Sequence, residues 1–441
     1  VIDDRENRAS TASRVEPVPG EAMISRADHV ISWLRRQRGV ILFIITFTLL
    51  MSAVTYHHWD VIQVSEEAVV RSGIATDLLD GLTAGRRGLI GSLLWSPLPT
   101  ILGLPFVYLL GLVSKGFDLP VLNTALAWPV LAAAASSFTV VLLNRWFRQS
   151  GLHWLIRYPL LIGYQLCPPI LAAVLAGTSA PLLVLFAVAG LRFLHHWLVT
   201  LDVRSLAYVG TLAGLTMVTD WRTVVLVLVV LLVIIVRLLR AAPIKGFAQS
   251  ALLVLLVPVV YLGVVWTLTN WLIMGNPFYF LKGLLAGASF MPYLWYGRLA
   301  WHLYVLAPVL LVLALLYGWL VARRGRLAWI PGVLLVLFMA VLVALPYYVE
   351  LGTHWSYLEI YPQRVRTVDD IITFVEDRYP ESRVVVCGYY GYLFRARAHN
   401  PELFVHFVDL SLPAVYHRTH GKELFLLLPR PEGMRTWENI Y

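Results

Sequence analysis

Charge is scarce in this chain. Only 14% of its residues are Asp, Glu, Lys or Arg, against 59% hydrophobic, whereas an ordinary soluble domain carries about 25% charged residues. Lipid is therefore the expected solvent. Cysteine is scarcer still: Cys167 lies within an apolar run and Cys387 in the C-terminal segment, which leaves no disulfide framework and no CxxC metal site. Acid is outnumbered, and the net charge is +9. The basic residues nevertheless sit in short clusters at the ends of apolar runs, where the positive-inside bias places them. That distribution points to a membrane and excludes nucleic acid as a partner.

What is present is a series of long apolar runs from Val40 to Tyr347, each close to the roughly 20 residues that a ~30 Å hydrocarbon core requires. The first, Val40 to Thr55, follows Arg35, Arg36 and Arg38 and a long charged leader, which favours a retained anchor over a cleaved signal. Residues 1–25 are polar and rich in charge, Ser and Pro, the composition of a disordered cytoplasmic tail within a leader of residues 1–38. Further runs occupy 98–114, 121–143, 158–177, 180–200, 206–219, 223–239, 247–274, 301–322 and 327–347. The tally for the membrane domain, 39–347, is ten.

Basic clusters before the first run, at Arg237, Arg240 and Lys245, and at Arg323, Arg324 and Arg326 are expected to be cytoplasmic, with the segment 275–300 and the C-terminal region outside. A cytoplasmic N-terminus with an external C-terminus needs an odd number of crossings, nine or eleven. The suspects are 158–200, interrupted at Cys167-Pro168-Pro169, and the short 206–219 run. Arg145 and Arg148 are inside only if the miscount precedes them.

Between the first two runs, the external loop 56–97 carries Val70, Ile74, Leu78 and Leu82 at every fourth position, with Glu67, Arg71, Asp77 and Asp80 elsewhere. The spacing predicts an amphipathic helix lying flat on the membrane. In the C-terminal segment, 348–441, Thr367 to Tyr379 reads as a helix, and Arg383 to Cys387, Phe404 to Val408 and Glu423 to Leu428 read as strands. A domain of that size has too little chain for a large independent core, so it is expected to lean on the membrane domain or on a partner. The expected fold class is an all-α polytopic membrane domain with a small C-terminal α/β extracytoplasmic domain.

The external loop also concentrates reactive side chains: His57-His58-Trp59-Asp60, then Ser65-Glu66-Glu67-Ala68, then Trp95-Ser96-Pro97-Leu98-Pro99. Paired carboxylates at a membrane surface can supply a general base, because burial raises a carboxylate pKa toward neutrality. The plainer reading is that Glu66 and Glu67 open a helix and Glu67 pairs with Arg71 one turn on. His57, His58 and Asp60 could share a divalent ion with Glu66, or the histidines could flank Trp59 at the headgroup level; His195 and His196 invite the same two readings. Metal and cofactor are not assigned.

Several segments, taken in order, resemble the GT-C class of polyprenyl-phosphate-sugar-dependent glycosyltransferases. Ser65-Glu66-Glu67-Ala68 with Leu78-Leu79-Asp80-Gly81-Leu82 resembles that class's Asp-Glu-Ala opening and the helix behind it. Ser96-Pro97-Leu98-Pro99 resembles its Pro-rich lead-in to the second span, Gly214 to Arg222 its Gly-Leu-Ala-x-Leu-Thr-Arg turn, and Gly275-Asn276-Pro277-Phe278-Tyr279-Phe280 its external Gly-Asn-Pro-Leu-Tyr-Phe element. The resemblance implies a GT-C-like fold of about 9–11 spans and sugar transfer from a polyprenyl-phosphate donor to a lipid or surface acceptor outside the cell membrane. It makes Glu66, or Asp60, the base. Arg222, Lys282 and Arg298 are the cations available for the donor phosphate, Arg222 first because its fork can hold two phosphate oxygens. The class usually has Asp where this chain has Glu66, and a catalytic group misplaced by ~1 Å can cost about 10²-fold in rate. The alternative is therefore a catalytically inactive scaffold serving as a structural subunit of a membrane complex. A transporter ranks last, with few embedded charges and no evident pairing of two halves.

Aromatic residues crowd Trp266 to Trp301. They suit a sugar or prenyl surface, and equally an aromatic belt at the membrane boundary.

Overall fold

The structure is a computed structural model that describes residues 19–58, 64–90, 96–117, 121–220, 223–241, 246–279, 355–387, 390–407 and 424–427. The two expected spans at 301–322 and 327–347 lie outside them. The described chain is mostly helical: α1 (Pro19–His57), α2 (Glu66–Leu79), α3 (Thr83–Ile90), α4 (Pro97–Phe117), a 3-10 turn (Val121–Leu126), α5 (Ala127–Gln149), α6 (Trp154–Gln165), α7 (Pro168–Ala176), α8 (Ala180–Thr200), α9 (Val203–Thr219), α10 (Val224–Ala241) and α11 (Phe247–Met274). The C-terminal region adds α12 (Trp355–Arg378), β1 (Arg383–Cys387), α13 (Tyr390–Arg397), β2 (Phe404–Phe407) and β3 (Leu424–Leu427).

Among the described residues, four helices are long and apolar enough to cross a membrane: Gln37–His57, Thr124–Gln149, Ala180–Thr200 and Phe247–Met274. The bent pair α6–α7, broken at Cys167-Pro168-Pro169, makes up to five. The chain is a multi-pass membrane protein. Of the expected disordered tail, residues 1–18 lie outside the described residues, and Pro19 to Ser25 belong to the helix that becomes the first span.

Helix α5 is the centre of the bundle. The small residues Ala132 to Ser137 line it, and small side chains let neighbouring helices approach closely where no hydrophobic effect drives them together. Helix α1 packs on it antiparallel, since Gly39 lies against Arg145, Phe43 meets Phe138 at a tilt, and Leu50 and Val54 meet Ala132 and Ala133. Helices α9 and α11 run parallel: a Cβ on Gly210 would overlap the Leu255 carbonyl, and one on Gly214 would touch Leu262 and Val259. Leu194 and Trp197 of α8, Leu206 of α9, Leu238 of α10 and Leu255 of α11 share one core cluster. These contacts fix two ends of the bundle. One holds the start of α1, the close of α5 and the turn between α8 and α9; the other holds His57, α2 and the close of α9.

Helix α4, expected as the second span, stays at the α2 end. Thr100 near its start bonds Arg71, and Thr124 beyond its close bonds Ser72, the next residue of α2. From Thr100 to Phe117 the helix covers about 25 Å. The residues up to Thr124, part of them wound at about 2 Å each, return roughly 20 Å at most. Val107, midway, packs between Ala75 and Ala127. Phe117 therefore lies within about 20 Å of Thr124, short of the ~30 Å that a crossing requires.

In the C-terminal region β1 is the central strand of a parallel sheet ordered β2-β1-β3, with Val385 opposite Val405 and Leu426. Parallel neighbours need a crossover, and α13 supplies it between β1 and β2. A central parallel strand is covered on both faces, which accounts for the unbroken buried run Val384-Val385-Val386. The core of this lobe is not its own: Val368, Ile372, Val384, Val386, Leu393 and Phe404 form one cluster with Val64, Ala68 and Val69 of the α2 segment and Ala125 and Trp128 beyond α4. The lobe leans on the membrane domain.

Candidate functional site

The paired acids open α2. Ser65 caps the helix, its Oγ accepting from the Ala68 N–H at 3.1 Å, so Glu66 and Glu67 fall in the first turn, where the helix dipole favours negative charge. Both ends of the preceding segment are tied to the close of α7. The His58 Nε2–H donates to the Leu175 carbonyl at 3.0 Å, and the Ser65 N–H donates to the Ala176 carbonyl at 2.8 Å. Helix α7 then stops at Gly177, whose φ of +69° suits glycine, and where a Cβ would overlap Pro129 and Trp128.

Glu67 is committed to structure. Its Oε1 accepts from Arg71 Nε at 2.8 Å, while Arg71 Nη1 donates to the Ser96 carbonyl at 2.7 Å and to Thr100 Oγ1 at 3.0 Å. The Arg71 side chain is 2% exposed. One guanidinium thus joins the opening of α2 to Ser96 and the first turn of α4, two of the segments singled out in sequence.

Helix α2 is packed on more than the apolar stripe that its periodicity predicts. Val70 and Ile74 are buried as the periodicity required, but so are Arg71, Ser72 and Asp77. Their partners come from far along the chain: Thr124 for Ser72, and Tyr392 Oη at 3.1 Å with Arg395 Nη1 at 3.4 Å for the Asp77 carboxylate. Gly73 makes this docking possible, because any Cβ there would overlap the Tyr392 ring. Sequence reasoning missed Gly73, Asp77, Tyr392 and Arg395 as a set. The one signal was a glycine in the middle of a helix, which costs ~1 kcal/mol against alanine and so implies a packing reason.

The remaining sequence-predicted residues are distributed as follows. Glu66 is the first residue of α2. His57 ends α1, its Nε2 buried with no hydrogen-bond partner among the described residues, and its ring lies edge-on to His58 at 4.8 Å. Burial holds the His58 pKa below the ordinary histidine value, opposed by the bond to Leu175 and reinforced by neighbouring His57. No group of three or more His, Cys, Asp or Glu gathers as a metal-ligand set among the described residues. Asp60, Arg222, Lys282 and Arg298 lie outside them. His195 stacks obliquely on Trp146, and His196 bonds Ser205 at 2.9 Å, at the opposite end of the bundle from His57.

Two further segments close on the α2 end. Helix α9 finishes at Thr219, and Asp220 caps it, 4% exposed, its carbonyl accepting from both the N–H and the hydroxyl of Thr223. Helix α11 finishes at Gly275, after which Asn276 Oδ1 accepts from the Phe278 N–H at 2.9 Å in a tight turn. Trp266, two turns earlier, donates its indole N–H to the Ile90 carbonyl at the close of α3. The opening of α2, two backbone turns and the Trp266 indole thus stand at one end of the bundle. No protein-family model, no curated protein and no solved structure matches the chain.

Proposed function

We propose that the chain is a GT-C-like glycosyltransferase that moves a sugar from a polyprenyl-phosphate donor to a lipid or surface acceptor on the extracytoplasmic face. The supporting observation is that the four resembling segments, scattered from Ser65 to Tyr279, come to the same end of the bundle: the opening of α2, the start of α4, the close of α9 and the turn after α11. Glu66 is the base in this reading, with Asp60 as its alternate, because Glu67 is held by Arg71. Arg222 meets the donor phosphate with Lys282 or Arg298, where fixed positive charge stabilises the departing group.

Sidedness follows the same logic. With α4 kept at the α2 end, the proposed crossings are α1, α5, α6–α7, α8, α9, α10 and α11, to which the sequence adds the apolar runs at 301–322 and 327–347, which is nine. An odd count agrees with a cytoplasmic N-terminus and an external C-terminal lobe, with Arg145, Arg148, Arg237 and Arg240 on the cytoplasmic side as the positive-inside bias expects.

The test is transfer by purified protein from a polyprenyl-phosphate sugar. Glu66→Gln is expected to lower the rate by about 10²–10⁴-fold and Arg222→Ala by about 10²–10³-fold, with Glu67→Gln acting mainly on stability. Parental rates in Glu66→Gln, Asp60→Asn and Arg222→Ala together would sink the proposal. One observation favours the scaffold reading instead: an acid of the pair and the whole back of α2 are consumed by packing against α4 and the C-terminal lobe. Recovery of a stable complex with other membrane subunits and no transfer activity would decide for it.

A further inference from the structure

At the end of the bundle away from α2, cations collect without acids. Arg145 and Gln149 stand one turn apart on α5, and Arg192 of α8 reaches the Gln149 side chain, so the two arginines meet at the contact between these helices. The Arg145 guanidinium lies along α1 at Gly39, where a Cβ would come within 3.2 Å of it. Arg38 is the preceding residue of α1, and Arg148 follows Arg145 by about one turn of α5. Arg192 has Gln149 as a partner at 3.2 Å, and no carboxylate pairs with any of the four among the described residues. The sequence explains the shortage: between Gly81 and Leu201 its one acid is Asp118. Asp202, the next acid along, is occupied in capping α9 through the Arg204 N–H and the Ser205 hydroxyl.

One more observation indicates that something outside the protein completes this cluster. Arg192 lies about 12 Å along α8 from the last residue of that span, half-buried, and an ionised group at such depth is expensive unless a counter-charge reaches it. Toward the hydrocarbon the cluster opens on apolar surface, where Val40, Ile44 and Phe138 are exposed along the α1–α5 seam and Phe43 packs on Phe138 at 4.5 Å.

We propose that Arg145 and Arg192 form a headgroup site for an anionic phospholipid, its phosphate held between the two guanidinium groups, Arg38 and Arg148 at the rim, and its acyl chains along the α1–α5 seam. Guanidinium forks match phosphate oxygens in pairs, and basic pockets between membrane helices recognise anionic headgroups on the cytoplasmic side. The apolar seam selects a lipid over free phosphate. The site lies across the bilayer from the paired acids, so it stands whether or not the chain transfers sugar.

The full chain is reconstituted in bilayers of phosphatidylcholine with or without phosphatidylglycerol, then released for native mass spectrometry and thermal unfolding. The parental protein is expected to retain phosphatidylglycerol over phosphatidylcholine by about tenfold or more and to unfold at higher temperature with it. R145Q/R192Q is expected to lose the preference, while R86Q, an exposed arginine of α3 at the other end, keeps it. Equal retention of the two lipids by the parental protein overturns the proposal, a result that needs no variant to fold. Equal stabilisation by inorganic phosphate overturns the lipid assignment, as does a preference that survives in R145Q/R192Q.

Discussion

The two ends of the bundle handle charge in opposite ways. At the α2 end Arg71 and Asp77 are almost fully buried, and each has fixed protein partners: Glu67, the Ser96 carbonyl and Thr100 for one, Tyr392 and Arg395 for the other. At the far end Arg38, Arg145 and Arg148 are exposed and Arg192 half-buried, with no carboxylate among the described residues to meet them. A charge withdrawn from solvent needs a partner delivered by the fold. A charge at the membrane boundary can leave that role to the lipid. The α2 end should therefore be sensitive to single substitutions in any environment, and the far end sensitive to lipid composition.

The sharpest way to break this contrast is Arg71→Met. Removing one member of a buried ion pair costs about 3–5 kcal/mol, somewhat less here because Glu67 retains contact with water, and the Ser96 carbonyl and Thr100 lose a donor. Thermal unfolding in detergent should show the largest loss of this series. Glu67→Leu combined with it should recover part of the loss, and simple additivity would refute the pairing. Next is Gly73→Ala, whose Cβ must displace the Tyr392 ring, an overpacking cost of about 1–3 kcal/mol. It should expose the C-terminal lobe to protease while the spans stay protected, and unchanged digestion would mean that the lobe is held elsewhere.

Tyr392→Phe keeps the ring and removes one bond to a buried carboxylate, about 1–3 kcal/mol. Its effect should persist in every lipid tested, unlike that of the far-end arginines. The smallest expected effect is the pH dependence carried by His58. Its folded pKa is lowered, chiefly by burial, so the unfolded chain binds the proton more readily. That contribution to stability is complete above about pH 6.5 and declines as pH falls toward the folded-state value. His58→Gln, which can still donate to Leu175, should flatten the acid side of the stability profile. An unchanged profile would place the titration on other groups.

Legibility in the sequence followed locality. The strand Arg383–Cys387 was read with the bounds it has, because three consecutive valines after a turn define a buried parallel strand without outside help. Helix α2 was expected, and the paired acids Glu66 and Glu67 open it as they were read to do. The surroundings of α2 were not legible, since every residue that makes it a core helix lies far away in sequence. Helix α13 went unread because Tyr390–Arg397 has no apolar period of its own, and its place is set by the Gly73 notch and the two strands it connects. Hydropathy also took the run at 98–114 for a span, because composition reports solubility in lipid and cannot report that Arg71 and Ser72 grip both sides of it.

The bond between Tyr392 and Asp77 joins residues 315 positions apart. At ribosomal speeds of about 5–20 residues per second, α2 waits roughly 15–60 s after its synthesis before the side chains that receive its aspartate exist. During that interval Asp77 and the open Gly73 notch have no lobe to cover them. Biogenesis of this protein therefore includes an obligatory unfinished stage, and substitutions in α13 should reduce the yield of inserted protein even where the completed molecule tolerates them.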